Sequence, residues 1–231
     1  PSRKGVSSTA TIVSVRDTLT FFKSRAKAYW GIYFSVAMTA ALSFGTLVFL
    51  TFFFHRFHGV TPTDVGKTFG IVTLFTGPAG LLLGGYLADK WYSAGHKDAH
   101  IKALLVAPAC YLVPAIAAPL VTDTSTAWAL FAVGNIFLSL PTGAGFAALQ
   151  IITPNRMRGQ AIAGYILVGS TLGYGAGPVL LGVMTDYVFM DPMKLNYAMV
   201  CLATITAPLA FFSLIWGRKA FAAAVVAEEP R

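Results

Sequence analysis

Charge is what this sequence has least of. Only 11% of its 231 residues are Asp, Glu, Lys or Arg, while 56% are hydrophobic and the mean hydropathy is +0.68; soluble domains carry about a quarter charged residues. Six stretches contain no Asp, Glu, Lys, Arg or His at all: Ala28 to Phe54, Thr68 to Ala88, Ala103 to Thr122, Thr124 to Asn155, Gly159 to Thr185 and Leu195 to Gly217. Each is at least as long as the roughly 20 apolar residues that cross a bilayer as a helix. This composition excludes Rossmann-type soluble enzymes, disordered tails and transmembrane β-barrels, which need polar residues or turns at shorter intervals. Cysteine is scarce too. Cys110 and Cys201 lie within apolar stretches, cannot found a disulfide scaffold, and read as small packing residues.

Catalytic and metal-binding patterns are equally absent. There is no Ser-His-Asp constellation, no phosphate loop with its Lys and no His-Glu-x-x-His, so the expectation is a protein that is not an enzyme and needs neither cofactor nor metal. His55 and His58, at i, i+3, and His96 and His100, at i, i+4, have ligand-like spacing but no third ligand nearby, and read as solvated loop residues. Gly173-Tyr174-Gly175-Ala176-Gly177 lies inside an uncharged span with no preceding strand, which makes it helix packing rather than a dinucleotide loop.

The net charge of +8 is informative by position. If the chain crosses the membrane six times, Arg3, Lys4, Arg16, Lys23, Arg25, Lys27, Lys90, Lys97, Lys102, Arg156, Arg158, Arg218, Lys219 and Arg231 fall on one side, and Arg56, Lys67 and Lys194 on the other. The positive-inside rule then places both termini in the cytoplasm and the protein in the plasma, or bacterial inner, membrane. Basic residues so distributed set topology and touch lipid headgroups; nucleic acid is not expected as a partner. Arg156 and Arg158 are read in this way, with contact to a substrate headgroup as the alternative.

Residues 1 to 27 read as a cytoplasmic segment: a Ser- and Thr-rich linker over 1 to 12, then an interfacial helix within Val13 to Lys27 that sets Val15, Leu19, Phe21 and Phe22 among Arg and Lys. Residues 28 to 217 form the transmembrane bundle, and 218 to 231 a cytoplasmic tail. A basic linker without an initiating Met suggests further chain upstream.

Within the spans, Ser35, Thr39, Ser43 and Thr46 share one face of the first helix. The second span carries a small-residue stripe, Gly66, Gly70, Thr73, Gly77, Gly80 and Gly84, and the fifth carries Gly169, Gly173, Gly177 and Gly182. Gly77-Pro78 leads to Gly85-x-x-x-Asp89, and Gly177-Pro178 leads to Gly182-x-x-x-Asp186; by the topology above the two aspartates reach opposite faces. That is the pattern of an inverted repeat of three helices plus three. Asn135, near the middle of the fourth span, is either a substrate hydrogen-bonder or an interhelical bond. Thr39, Ser43, Thr46, Tyr165, Ser170 and Tyr174 are candidates to line the same cavity, or to bond backbone.

Gly84-Gly85-Tyr86-Leu87-Ala88-Asp89-Lys90, on the basic side between the second and third spans, resembles the signature loop of the major facilitator superfamily. Gly169-x-x-x-Gly173-x-x-x-Gly177-Pro178 resembles that superfamily's Gly-Pro motif. Gln150 to Gln160, followed by Thr185-Asp186-Tyr187 and Asp191-Pro192, is similar to bacterial spinster-like members. The resemblance implies an all-α membrane protein forming the C-terminal half of a twelve-helix secondary transporter, with Gly85, Asp89 and Lys90 as a conformational latch and Gly77, Pro78, Gly169, Gly173, Gly177 and Pro178 in helix packing. It implies as partners a missing N-terminal six-helix half, which the glycine stripes would meet, the bilayer, and a small amphiphilic, lipid-like or organic-anion substrate moved by alternating access. The rival reading is a truncated, non-transporting membrane scaffold.

Overall fold

A computed structural model describes residues 15–228, with side chains from Thr20 onward. The expected linker over 1 to 12, Val13 and Arg231, and the side chains of Val15, Arg16 and Leu19, lie outside the described residues. A short helix α1 (Val15–Ser24) precedes six spans: α2 (Ala26–His58), α3 (Pro62–Ser93), α4 (Ala99–Ala117), α5 (Thr124–Ile151), a fifth span of α6 (Arg158–Val168) and α7 (Ala176–Val183) joined by a π-helical segment, Gly169–Gly175, and α8 (Leu195–Glu228). No strand occurs among the described residues.

Turn chemistry sets the joints. Gly59 adopts a left-handed φ of 66°, a conformation that side chains disfavour, and so lets α2 stop at His58. Thr61 then caps α3 by accepting from the Asp64 N–H at 3.3 Å, with Pro62 in the first turn. Asp123 caps α5 through the Thr126 N–H at 2.7 Å.

The faces of the bundle follow from the contacts at its ends. Arg25 pairs with Glu228 at 2.8 Å and donates to the Ile152 carbonyl at 2.7 Å, and Arg218 bonds Asp98. One end therefore holds the α1–α2 corner, the α3–α4 and α5–α6 turns and the end of α8. This is the basic face. At the other end Arg56 donates to the Pro192 carbonyl at 3.0 Å and the Thr124 hydroxyl meets the His58 ring at 3.2 Å.

Packing follows the repeat. The first span rests chiefly on the fifth and sixth, and the fourth rests chiefly on the second and third; exchanging spans one to three with four to six maps each pairing onto the other. In lipid no hydrophobic force pulls helices together, so close contact comes from small residues. Gly80 and Gly84 of α3 lie against the backbone of Ile136 and Leu140 in α5, while Gly173 and Gly177 lie against Ala40 and Ala41 in α2.

Three placements differ from the sequence reading. The helix α8 runs on through residues 218 to 228, because Phe221, Ala224 and Val225 bury themselves and the two arginine–carboxylate pairs tie it down. The α3–α4 turn is short, so His100 is not a loop residue: it is 3% exposed, inside α4, between the rings of Tyr92 and Phe221. Cys110 is exposed on the outer side of α4 rather than packed.

Asp98 holds this basic corner together. Partial burial works against its charge, but hydrogen bonds from Arg218 and Lys102 outweigh it and hold the carboxyl below the ordinary carboxylate range. A depressed folded value means the stabilisation is complete above the ordinary range and is lost as pH falls through the folded one. Asp98→Asn is therefore expected to lower the thermal midpoint at neutral pH, with the gap to the parent closing as pH drops below about 4. A gap that persists at acid pH would show that packing, not the ion pairs, was lost.

Candidate functional site

A concave face is built where α2 and α5 run antiparallel. Its larger hollow, about 830 Å³ and open to the outside, lies between α2, α5 and the fifth span, and Thr39, Ser43, Ser139, Thr142, Ser170 and Tyr174 supply its polar lining. Its smaller hollow, about 480 Å³, lies between α2, α5 and α3, and includes Thr46, Asn135, Phe69 and Trp128. Ser43 and Leu138 belong to both. The exchange that relates the two triplets of spans also exchanges these two hollows.

Thr39, Ser43 and Thr46 occupy positions i, i+4 and i+7 of α2, and Asn135, Ser139 and Thr142 occupy the same positions of α5, each 96 residues later. The helices are antiparallel, so the stripes run in opposite directions. Thr39 and Ser43 share the larger hollow with Ser139 and Thr142, and Thr46 shares the smaller one with Asn135. A polar seam thus crosses the middle of the bundle, with no Asp, Glu, Lys, Arg or His lining either hollow.

The hydroxyls divide into two groups. Thr39 donates to the Ser35 carbonyl at 2.9 Å, Ser170 to the Leu167 carbonyl at 3.2 Å and Tyr165 to the Pro141 carbonyl at 3.2 Å. Among the described residues, Ser43, Ser139 and Thr142 make no hydrogen bond within the chain and present their hydroxyls to the hollow. Tyr165 is 6% exposed and acts as a wall, pressed on Gly145 and tilted against Phe146, ring centroids 5.1 Å apart. Tyr174 is 48% exposed and lies over Phe44, ring centroids 3.6 Å apart. Asn135 donates to the Thr76 hydroxyl at 2.7 Å, an interhelical bond between α3 and α5.

The structure places the remaining sequence-derived residues as follows. Asp89 and Lys90 are exposed at the basic face, Lys90 with its ammonium 5.7 Å from the Tyr86 ring centre and Asp89 within electrostatic reach of His100. Gly85 leaves open space on one side of α3. The packing glycines split: Gly173 and Gly177 are in tight contact, Gly169 stands at ordinary distance from Val36, and Gly77 faces open space beside an exposed Pro78. The expectation that both stripes wait for absent helices is thus corrected, since Gly80, Gly84, Gly173 and Gly177 are used within this bundle and Gly66, Gly70 and Gly77 are open. Pro178 lies in the first turn of α7, just after the π segment, where a missing N–H costs little. Arg158 donates to the Thr153 carbonyl at 3.2 Å and steadies the α5–α6 turn, while Arg156 is exposed.

Ser139 and Thr142 were not singled out from the sequence, nor were Phe44 and Phe146, which complete the aromatic walls. The 96-residue echo of the α2 stripe is the signal that finds the first two.

No protein-family model and no curated protein sequence matches the chain. Among solved structures, a bacterial homologue of the human lysosomal transporter Spinster, in an inward-facing and unoccupied conformation, superposes with a TM-score of 0.67 at 18% identity, over 100% of this chain and 54% of that one. A structure of a bacterial Spinster homologue in an inward-facing and occupied conformation gives 0.59 at 19% identity, over 87% of this chain and 46% of that one. The fold is that of one half of these solved transporters. This chain spans about half the length of the solved transporters it matches. Six of its helices are long and apolar enough to cross a membrane, and the polar concave face of α2 and α5 lies near the middle of their length.

Proposed function

We propose that the chain is the C-terminal half of an alternating-access carrier for a small amphiphilic or lipid-like substrate, working in the plasma or bacterial inner membrane with its basic face in the cytoplasm. The observation that carries this reading is the concave seam: free hydroxyls beside aromatic walls, at mid-span, in a bundle folded like half of a solved transporter. Polar groups at that depth are costly unless used. A neutral lining suits a substrate that offers hydrogen-bonding groups and apolar surface, and gives an organic anion no cation to meet in this half. The partner is a complementary six-helix half that closes over the seam, and Asp89 with Lys90 and Gly85 forms the latch of its basic-face contact.

The test is uptake into proteoliposomes by this chain alone and by this chain together with a complementary six-helix half, with a lysolipid panel set against an organic-anion panel. Transport of lysolipids that requires both halves supports the reading. Absence of transport in both preparations, from protein that is folded and inserted, would favour the scaffold. Asp89→Asn is expected to slow transport several-fold at unchanged expression by shifting the balance between the two carrier states; unaltered kinetics would remove the latch.

A further inference from the structure

The bond between Asn135 and Thr76 uses only one half of an amide. Thr76 of α3 is buried; its hydroxyl donates to the Val72 carbonyl at 2.8 Å and stands 2.7 Å from the Asn135 Nδ2. A carbonyl can only accept, so the single Thr76 proton goes to Val72 and Asn135 supplies the proton of the second bond. An amide turned the other way would claim the same hydroxyl proton and leave the 2.8 Å contact without one. The orientation of the side chain is thereby set, with Nδ2 on Thr76 and Oδ1 turned away from it.

The Asn135 oxygen accepts no hydrogen bond among the described residues and keeps exposed surface, and the space that Asn135 lines is the smaller hollow. An open acceptor at mid-span is costly unless something bonds to it. Phe69, Trp128 and Phe131 give that hollow aromatic walls, Ser43 and Thr46 give it hydroxyls that can turn either way, and no charged side chain lines it. An ammonium would enter without a carboxylate to meet it, whereas an uncharged O–H brings the proton that the oxygen lacks. The larger hollow has the same bias. Thr39 and Ser170 donate to carbonyls of their own helices and offer the hollow only lone pairs. Thr39, Ser170 and Asn135, whose polarity is fixed by bonds already made, are thus all left as acceptors.

We propose that Asn135 is the acceptor by which the seam selects a substrate bearing an uncharged hydroxyl, and that Thr76 is the positioning residue that keeps the Asn135 oxygen turned into the hollow. The inference rests on the carrier reading for a substrate's reaching the seam. A site that offers a fixed acceptor rejects an analogue lacking the proton, because the acceptor is then left unpaired. Thr76 touches no substrate; it acts by denying the amide its other orientation.

The experiment is NMR of the chain in nanodiscs with isotope-labelled asparagine. The asparagines are Asn135, Asn155 and Asn196, and the signal lost in Asn135→Leu assigns the first. Titrated with oleoyl lysophosphatidylcholine, whose glycerol hydroxyl is free, the Asn135 carboxamide carbon is expected to move downfield. The O-methyl ether of the same lipid is expected to produce a response only at about tenfold higher concentration, the worth of one hydrogen bond. Thr76→Val keeps the side-chain shape, removes the group that fixes the amide and is expected to abolish the difference between the two lipids; Thr76→Ser is expected to retain it. Unmoved Asn155 and Asn196 signals report that each variant is folded. Equal responses to the two lipids in the parent, a stronger response to the ether, or a Thr76→Val variant that discriminates as the parent does would overturn the proposal. The readout is binding at Asn135 and involves no transport, so its failure is distinct from failure of the carrier reading, which shows as absent uptake.

Discussion

Valine at position 177 is expected to push α7 away from α2 and to cost the bundle about 3 kcal/mol, the upper end of the usual overpacking penalty. The reason is what a Cβ there would meet: the carbonyl and Cα of Ala41, which belong to backbone and cannot rotate aside. The contact is reciprocal, since a Cβ at Gly45 of α2 would stand 3.1 Å from the Gly177 carbonyl oxygen. Neither helix has slack to give. Gly70→Val provides the comparison, because nothing lies within 4 Å of a Cβ at Gly70, and changes of that kind usually stay within about 0.5 kcal/mol. Thermal unfolding of the parent and both variants in one detergent decides the matter; equal shifts for the two would contradict the assignment of Gly177 as the contact between the first and fifth spans.

The second large effect concerns Ser43, which the two hollows share. Ser43→Trp is expected to fill their junction and to reduce transport by at least about tenfold, equivalent to about 1.4 kcal/mol, with little change in thermal midpoint because the side chain is half-buried and opens into empty space. Ser43→Ala removes one hydroxyl that a substrate would bond and is expected to weaken apparent substrate affinity only a few-fold. Uptake kinetics of the two-half assembly separate these outcomes. A tryptophan variant that transports at the parental rate would take the seam out of the translocation path.

Periodicity made part of this seam legible. Thr39, Ser43 and Thr46 fall on one helical face by spacing alone, and an uncharged span gives hydroxyls few other reasons to align. Their counterparts Ser139 and Thr142 were harder to read, because Leu140-Pro141 separates them and a lone hydroxyl in a helix ordinarily bonds its own backbone. Asn135 illustrates a different limit. Its depth marked it as polar and costly, yet whether it met substrate or a neighbour depended on which residue α3 set beside it, and that residue is Thr76.

Glycine patterns were legible as close packing but not as to partner. Gly77-Pro78 and Gly177-Pro178 look alike in sequence; Gly177 meets Ala41, whereas the tight contacts of α3 begin at Gly80. Approach distance between two helices is a property of the pair, so one helix's sequence cannot contain it. The charges Arg218 and Lys219 marked the end of the last apolar stretch and concealed that α8 continues, since the residues that bury Phe221 and Val225 lie on elements distant in sequence. His100 was misplaced for the same reason: its neighbours Tyr92 and Phe221 come from two other helices.

The ion pair between Arg25 and Glu228 brings the chain into the bundle and out of it at nearly one point. A folded unit whose two ends adjoin can be carried as a cassette: it can be spliced into a loop of another membrane protein, or circularly permuted by joining residue 228 to residue 25 and reopening the chain at the Gly59 turn, without moving any of its six spans. Modularity of this kind is a property of the backbone path, independent of the chemistry of the seam.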